Sequence, residues 1–196
     1  PYRLGEIEYR CTTSVGGTIF GEQEVSAETL LMQVDLALHN AKSDGRNTFR
    51  FFDPTMQDIV MERAALERDI LCALQEQQFL LHYQPQVTDT GEVIGAEALI
   101  RWQHPQRGFV SPADFIPVAE ETGDIIPIGQ WVLEAACQQL SRWATRPERA
   151  HLSIAVNVSA RQLQQPDFVD QVMATLESTG ADPQRLKLEL TESLLL

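Results

Sequence analysis

The sequence predicts an α/β fold: about half of an eight-stranded β/α barrel, preceded by a short β-α-β segment. Two observations carry this reading. From Phe79 onward the segments run β-β-α-α-β-α-β, so after a first hairpin strands alternate with helices. That order is expected of parallel strands joined by helical crossovers. Each of the strands also has an apolar parity and a more polar one, the pattern of strands that face outer helices on one side and a barrel lumen on the other. A full barrel takes typically about 250 residues, so Phe79–Leu196 would supply roughly half.

The elements follow in order. Glu8–Phe20 alternates as a strand, with Gly16-Gly17 as an expected bulge or bend. Ala27–Lys42 reads as a helix because Leu30, Val34, Ala37, Leu38 and Ala41 fall at helical spacing. Asp44-Gly45 stops it, and Thr48–Phe52 is a short aromatic strand. Asp53-Pro54 marks a boundary. Gln57–Gln78 then reads as a helix with Leu66, Ile70, Ala73 and Leu74 on one stripe. Phe79–Val87 is a strand, and Thr88-Asp89-Thr90-Gly91 is a turn into the strand Val93–Trp102. Ser111-Pro112-Ala113-Asp114 is a helix start. Gly129–Trp143 is a helix with Val132, Ala136, Leu140 and Trp143 inward, and Leu152–Val158 a strand. Asp167–Thr179 is a helix with Val169, Val172, Met173 and Leu176 inward, closed by Gly180 before the strand Leu186–Thr191. The domain division expected is 1–53, a linker at 54–61 that opens the connecting helix, and 62–196.

Composition narrows the function. The chain has 196 residues, 43% hydrophobic and 22% charged, with a net charge of −13. An acidic chain without a Lys/Arg run is a poor partner for a nucleic-acid polymer. An anionic ligand would have to be held locally, by a cation or a placed arginine. No apolar run reaches the length of a membrane span, and no signal-peptide layout opens the chain. It begins on Pro1 rather than Met, which suggests a fragment or a processed chain. Cys11, Cys72 and Cys137 show neither a disulfide framework nor a zinc spacing. A cytoplasmic location is the simplest reading, with a tether of the parent to the inner membrane left open.

The strand Val93–Trp102 carries a carboxylate and a guanidinium among apolar residues. Alternation places Glu97, Leu99 and Arg101 on one face. A charge on an otherwise buried strand needs a partner or a metal. Gln84, Glu97, Arg101, Asn157 and Glu189 all lie on the polar parity toward the C-terminal part of a strand, the end where barrel enzymes keep their chemistry. Carboxylate and amide oxygens suit Mg²⁺ or Mn²⁺, so Glu97, Asn157 and Glu189 could form one site and Arg101 could grip a phosphate oxygen. Plainer roles stand beside these. Glu97 and Arg101 could pair with each other, Asn157 could bond a loop, Glu189 could pair with Lys187, and Gln84 could end a strand before Pro85. The histidines show no zinc spacing, and no Ser-His-Asp set, Walker loop or Gly-x-Gly-x-x-Gly occurs.

At these residues the chain resembles the EAL family of cyclic di-GMP phosphodiesterases, from about Glu62 to Leu196. The motifs are Tyr83-Gln84-Pro85, Glu97-Ala98-Leu99-Ile100-Arg101-Trp102, His104-Pro105, Phe115-Ile116-Pro117, Ala119-Glu120-Glu121-Thr122-Gly123, Val156-Asn157-Val158-Ser159 and Glu189-Leu190-Thr191-Glu192-Ser193. Any one is weak, but their order and spacing together are very specific. The resemblance implies that Glu97, Asn157 and Glu189 are metal ligands in the catalytic centre. It implies that Arg101 contacts substrate phosphate, that Gln84, Leu99, Phe115, Ile116 and Pro117 line the nucleotide site, and that Glu192 steadies a catalytic loop. It further implies a (β/α)8 TIM-type barrel with an antiparallel first strand, and a two-metal site of Mg²⁺ or Mn²⁺ whose remaining ligands lie beyond Leu196. The family's paired aspartates and lysine would also lie there. The implied reaction is hydrolysis of cyclic di-GMP to linear pGpG in bacterial signalling, with homodimerisation through the EAL domain as a further expectation. The alternative is a catalytically silent cyclic di-GMP receptor.

The first part resembles the tail of a GGDEF diguanylate cyclase domain. The matching residues are Ser14-Val15-Gly16, Asp35-Leu36-Ala37-Leu38 and Ala41-Lys42-Ser43-Asp44-Gly45-Arg46-Asn47. The Gly-Gly-Asp-Glu-Phe signature itself is absent from this chain, so cyclase activity is not expected of it.

Overall fold

The structure is a computed structural model and describes residues 2–4, 7–9, 11–21 and 25–190. The chain divides into two compact units, Pro1–Ala65 and Leu66–Leu196.

In the first unit, β1 (Tyr2–Leu4) and β2 (Ile7–Tyr9) form an antiparallel pair. The strand β3 (Val15–Gly17) pairs in parallel with β4 (Phe49–Phe51), and α1 (Ala27–Ser43) is the crossover. The single strand expected over Glu8–Phe20 is therefore two short strands in separate sheets. Gly16 is not a bulge. A Cβ there would lie 2.3 Å from the backbone nitrogen of Leu38 and 2.4 Å from the carbonyl of Val34, so the glycine lets α1 press directly on the strand. Ser26 caps α1 by accepting from the Thr29 amide at 3.1 Å.

Helix α2 spans Pro54–Gln75 and starts three residues before the expected Gln57. Asp53 explains the early start, because its Oδ1 accepts from the Thr55 amide at 2.9 Å and Pro54 suits the first helical position. Leu66, Ile70 and Ala73 are buried as predicted.

The second unit is built on a sheet ordered β5-β6-β8-β9: β5 (Phe79–Val87), β6 (Val93–His104), β8 (Ser153–Val158) and β9 (Leu186–Leu190). The pair β5–β6 is antiparallel, whereas β6–β8 and β8–β9 are parallel. β7 (Gly108–Val110), absent from the sequence reading, turns back on β6 to form a hairpin. His104 is the pivot of that turn. Its Nδ1 accepts from the Gln106 and Arg107 amides, each at 3.1 Å, and its Nε2 lies 3.3 Å from Asp69 Oδ2.

The helices are α3 (Pro112–Thr122), α4 (Ile125–Ala144), the short α5 (Ala160–Leu163) and α6 (Phe168–Thr179). Helix α4 begins four residues before the expected Gly129. Its Val132, Ala136 and Leu140 face the core as predicted. Helix α6 is rotated from expectation. Val169 and Met173 are 68% and 59% exposed, while Phe168, Thr175 and Leu176 are buried. Hydrogen bonds select this face. Thr175 Oγ1 accepts from Gln130 Nε2 at 3.2 Å, and Ser141 Oγ donates to the Thr179 carbonyl at 2.6 Å, so α6 meets α4 through polar groups as well as apolar ones.

Trp102 anchors the core. It is fully buried, and its indole N–H donates to Gln78 Oε1 at 2.9 Å, which meets the requirement of a buried Trp for an acceptor. Phe79 and Phe115 pack on it with ring centroids 5.5 and 5.4 Å away.

Two outcomes test this packing. Phe115→Ala is expected to cost about 3–5 kcal/mol, and Val169→Ala no more than about 0.5 kcal/mol. Urea unfolding followed by tryptophan fluorescence measures both, and equal costs would mean that α6 and α3 are misplaced here. Burial also pushes the Cys137 thiol up to about 11. At pH 8 roughly one Cys137 thiol in a thousand is then ionised. Cys137 should resist Ellman's reagent until the protein is unfolded, while exposed Cys72 reacts in the native state. Peptide mapping after labelling distinguishes the two.

Candidate functional site

The site is assembled by strand register. Gln84 on β5 pairs with Glu97 on β6, and Glu97 pairs with Ala155 on β8. Two residues further along β8, on the same face, stands Asn157, which pairs with Glu189 on β9. Neighbouring strands lie about 4.8 Å apart, so this register sets Gln84, Glu97, Asn157 and Glu189 on one face of the sheet. Two of them touch, with Asn157 Nδ2 donating to Glu97 Oε1 at 2.6 Å.

Glu97 and Glu189 are half-buried and Asn157 is exposed. The set offers two carboxylates and one amide as oxygen donors, a hard-cation set by chemistry. An amide that donates to Glu97 carries its own oxygen on the same carboxamide, so a half-turn about its last torsion presents that oxygen instead. The residues fit a divalent cation on this ground. Among the described residues no three His, Cys, Asp or Glu side chains cluster, so the amide is needed to complete a three-donor set here.

Arg101 stands apart from Glu97. Its Nη1 donates to the Ile100 carbonyl at 2.8 Å, and among the described residues it forms no ion pair with Glu97. The plainer Glu97–Arg101 pairing is therefore not the arrangement found.

A cavity of about 340 Å³ opens beside these residues. Its origin lies in the sheet. β6 pairs with β8 only over Gly95–Ala98, and with β7 only over Trp102–His104. The edge of β6 between them, Leu99 to Arg101, pairs with neither. Leu99, Ile100 and Arg101 line the cavity on this side, with Asn157 and Ser159 from the diverging end of β8. Ile116 and Glu120 of α3 and Gly129 and Val132 of α4 close it.

Leu99, Arg101, Ile116 and Asn157 thus meet around one cavity, while Gln84, Glu97 and Glu189 lie along the sheet face. Phe115 does not reach the cavity. It is fully buried against Trp102 and Phe79 and supports the wall from behind. Pro117 is exposed on α3, and Glu192 lies outside the described residues.

Sequence reading missed the turn that follows β8. Ser159 caps α5 in a capping box with Gln162. The signal was present as Ser-x-x-Gln directly after a strand. Arg161 of the same turn donates through Nη1 to the carbonyls of Glu120 and of Glu121, the latter at 3.1 Å. That ties the end of β8 to the end of α3. Gly129 was read as the first residue of its helix, whereas it lies inside α4, where a glycine costs about 1 kcal/mol relative to alanine.

Known proteins place these observations. Residues 67–196 match the EAL domain. The chain is 40% identical over 194 residues to the bifunctional diguanylate cyclase/cyclic di-GMP phosphodiesterase MucR of Pseudomonas aeruginosa, covering 98% of this chain and 28% of that protein. It is 38% identical over 196 residues to the cyclic di-GMP phosphodiesterase PdeR of Escherichia coli, covering all of this chain and 29% of that protein. The chain therefore spans less than a third of the length of these relatives. Among solved structures it resembles the PaMucR phosphodiesterase in complex with c-di-GMP, at 45% identity and a TM-score of 0.63, over 65% of this chain and 52% of that one. It also resembles the EAL enzyme Bd1971 bound to cAMP and cyclic di-GMP, at 30% identity and a TM-score of 0.64, over 88% of this chain and 45% of that one. With the family match covering most of its residues and the motif residues gathered on one sheet face, this chain belongs to the EAL domain family.

Proposed function

We propose that this chain is the first half of an EAL β/α barrel, in a protein that hydrolyses cyclic di-GMP to linear pGpG with a divalent cation, Mg²⁺ or Mn²⁺. The observation that carries the reading is the 2.6 Å contact between Asn157 and Glu97, residues 60 positions apart in sequence that the parallel register of β6 and β8 brings together. Residues 1–53 are read as the tail of a GGDEF domain, 54–61 as the opening of the connecting helix and 62–196 as the EAL portion. The parallel β3–α1–β4 unit is compatible with that tail.

Each residue has a part. Glu97, Asn157 and Glu189 would hold the cation, which when bound supplies charge stabilisation to a phosphodiester and acidity to a coordinated water. Arg101, on the cavity wall, binds a phosphate oxygen. Leu99 and Ile116 provide apolar surface for the nucleotide, and Gln84 lies on the face beside Glu97. Electrostatics demand such local grips. The chain carries a net charge of −13, whereas one opposed charge pair at about 4 Å contributes on the order of 4 kcal/mol at an effective dielectric near 20.

The test uses the complete encoded protein, with cyclic di-GMP and Mg²⁺ or Mn²⁺, and chromatographic detection of pGpG. Glu97→Ala and Asn157→Ala are each expected to lower kcat by about 100-fold or more, reflecting loss of several kcal/mol of charge stabilisation. Wild-type rates in both would remove these residues from the reaction. Calorimetric binding of cyclic di-GMP without turnover would instead identify a receptor. Arg101→Ala has a different signature. Loss of a charged hydrogen bond of about 1.5–3 kcal/mol should raise KM roughly 10- to 100-fold, and an unchanged KM would exclude the phosphate contact.

A further inference from the structure

Asn157 stands one residue past the last pair between β6 and β8, Ala98 with Val156. No strand ladder holds its backbone on the β6 side. Its carboxamide is exposed and bonds Glu97. β9 holds the chain on the other side, where Asn157 pairs with Glu189 and Val158 with Leu190, so on the open β6 side the direction of that carboxamide depends on what anchors the chain immediately after it.

The anchor is Gln162. Its Oε1 accepts from the Ser159 amide at 3.2 Å and from Ser159 Oγ at 3.1 Å, while Ser159 Oγ accepts from the Gln162 amide at 3.2 Å. The Gln162 side chain is itself seated in a notch on α4. A Cβ on Gly129 would fall 1.8 Å from Gln162 Nε2 and 2.3 Å from its Cδ. Only glycine leaves room for the carboxamide there, and Gln162 is 7% exposed as a result. Glycine is a poor choice inside a helix on propensity alone, so the notch answers to its occupant.

We propose that Gln162, locked in the Gly129 notch, is a positioning residue that fixes the end of β8 and so aims the Asn157 carboxamide at the Glu97 side of the site. The proposal rests on the reading of Glu97, Asn157 and Glu189 as cation ligands. Gln162 borders the cavity beside Gly129 and Ser159, but the role proposed for it is exerted on Asn157 through Ser159 and not by contact with the cation.

The experiment compares Gly129→Ala, Gln162→Ala and the double variant with wild type, in the complete encoded protein. Thermal unfolding, Mn²⁺ affinity by calorimetry and the Asn157 side-chain amide signals by NMR without metal are the readouts. Gln162→Ala is expected to weaken Mn²⁺ binding by about tenfold, as loss of a supporting contact behind a ligand does, and to shift the Asn157 amide signals. Gly129→Ala should lower the melting temperature through the collision with Gln162. In the double variant the collision is gone, so the melting temperature should recover while Mn²⁺ affinity stays weak. Recovery of both together, or wild-type Mn²⁺ affinity in Gln162→Ala, would reduce Gln162 to ordinary packing and overturn the proposal. If wild type binds no Mn²⁺, the cation reading falls on its own. The metal-free Asn157 signals then decide positioning, and unmoved signals in Gln162→Ala overturn it.

Discussion

The second unit is organised by the parting of two parallel strands. β6 and β8 run in register from Gly95 to Ala98 and then separate. Had they stayed paired, the backbone of Leu99 to Arg101 would be closed by a ladder, and the cavity would have no mouth. The hairpin strand β7 takes over the edge of β6 only from Trp102 onward. Between these two partners the sheet opens, and the cavity wall carries a guanidinium and an amide. Short pairing is a weakness in a sheet, but here it places polar groups at a concave surface without burying them unsatisfied.

The opening is held in shape from behind. Trp102 follows the unpaired stretch directly and is fully buried, with its indole N–H satisfied by Gln78. Phe79 and Phe115 brace its two sides. Helix α3 is thereby fixed against β6, and Ile116, next to Phe115, is delivered to the cavity. On the other side the turn Ser159–Gln162 ties β8 to α4 through the Gly129 notch, and Arg161 ties it to α3. The rim is thus clamped through three elements, none of which supplies an oxygen donor to the sheet face.

Legibility in the sequence tracked the range of the interactions. Phe79–Val87 was read to its bounds, because an alternating strand that runs into a Thr-Asp-Thr-Gly turn announces itself locally. The Ser111-Pro112 start of α3 was equally plain. Helix α6 was read correctly in extent and wrongly in face, since Val169 and Met173 are more apolar than Thr175. What turns the helix is a hydrogen bond from Gln130, a residue 45 positions away. The glycine pair at Gly16-Gly17 was read as a bulge, because a glycine that admits a neighbouring helix and one that bends a strand look alike in sequence. At the candidate site, alternation already put Glu97 on the polar parity of its strand, along with Leu99 and Arg101.

Alternation, capping residues and apolar spacing, all properties of neighbours within a few positions, sufficed to establish the class of fold, the strand faces and the residue types available for chemistry. Whether Glu97 would pair with Arg101 or meet Asn157 was not among those properties. Arg101 stands four residues along the same strand, about 13 Å away, whereas Asn157 comes within reach of Glu97 only through the choice and register of the strand beside β6, which depends on packing between segments 60 residues apart. The tertiary structure decided it because parallel pairing is fixed by helices crossing over the sheet, and a shift of one residue would have turned Asn157 to the opposite face.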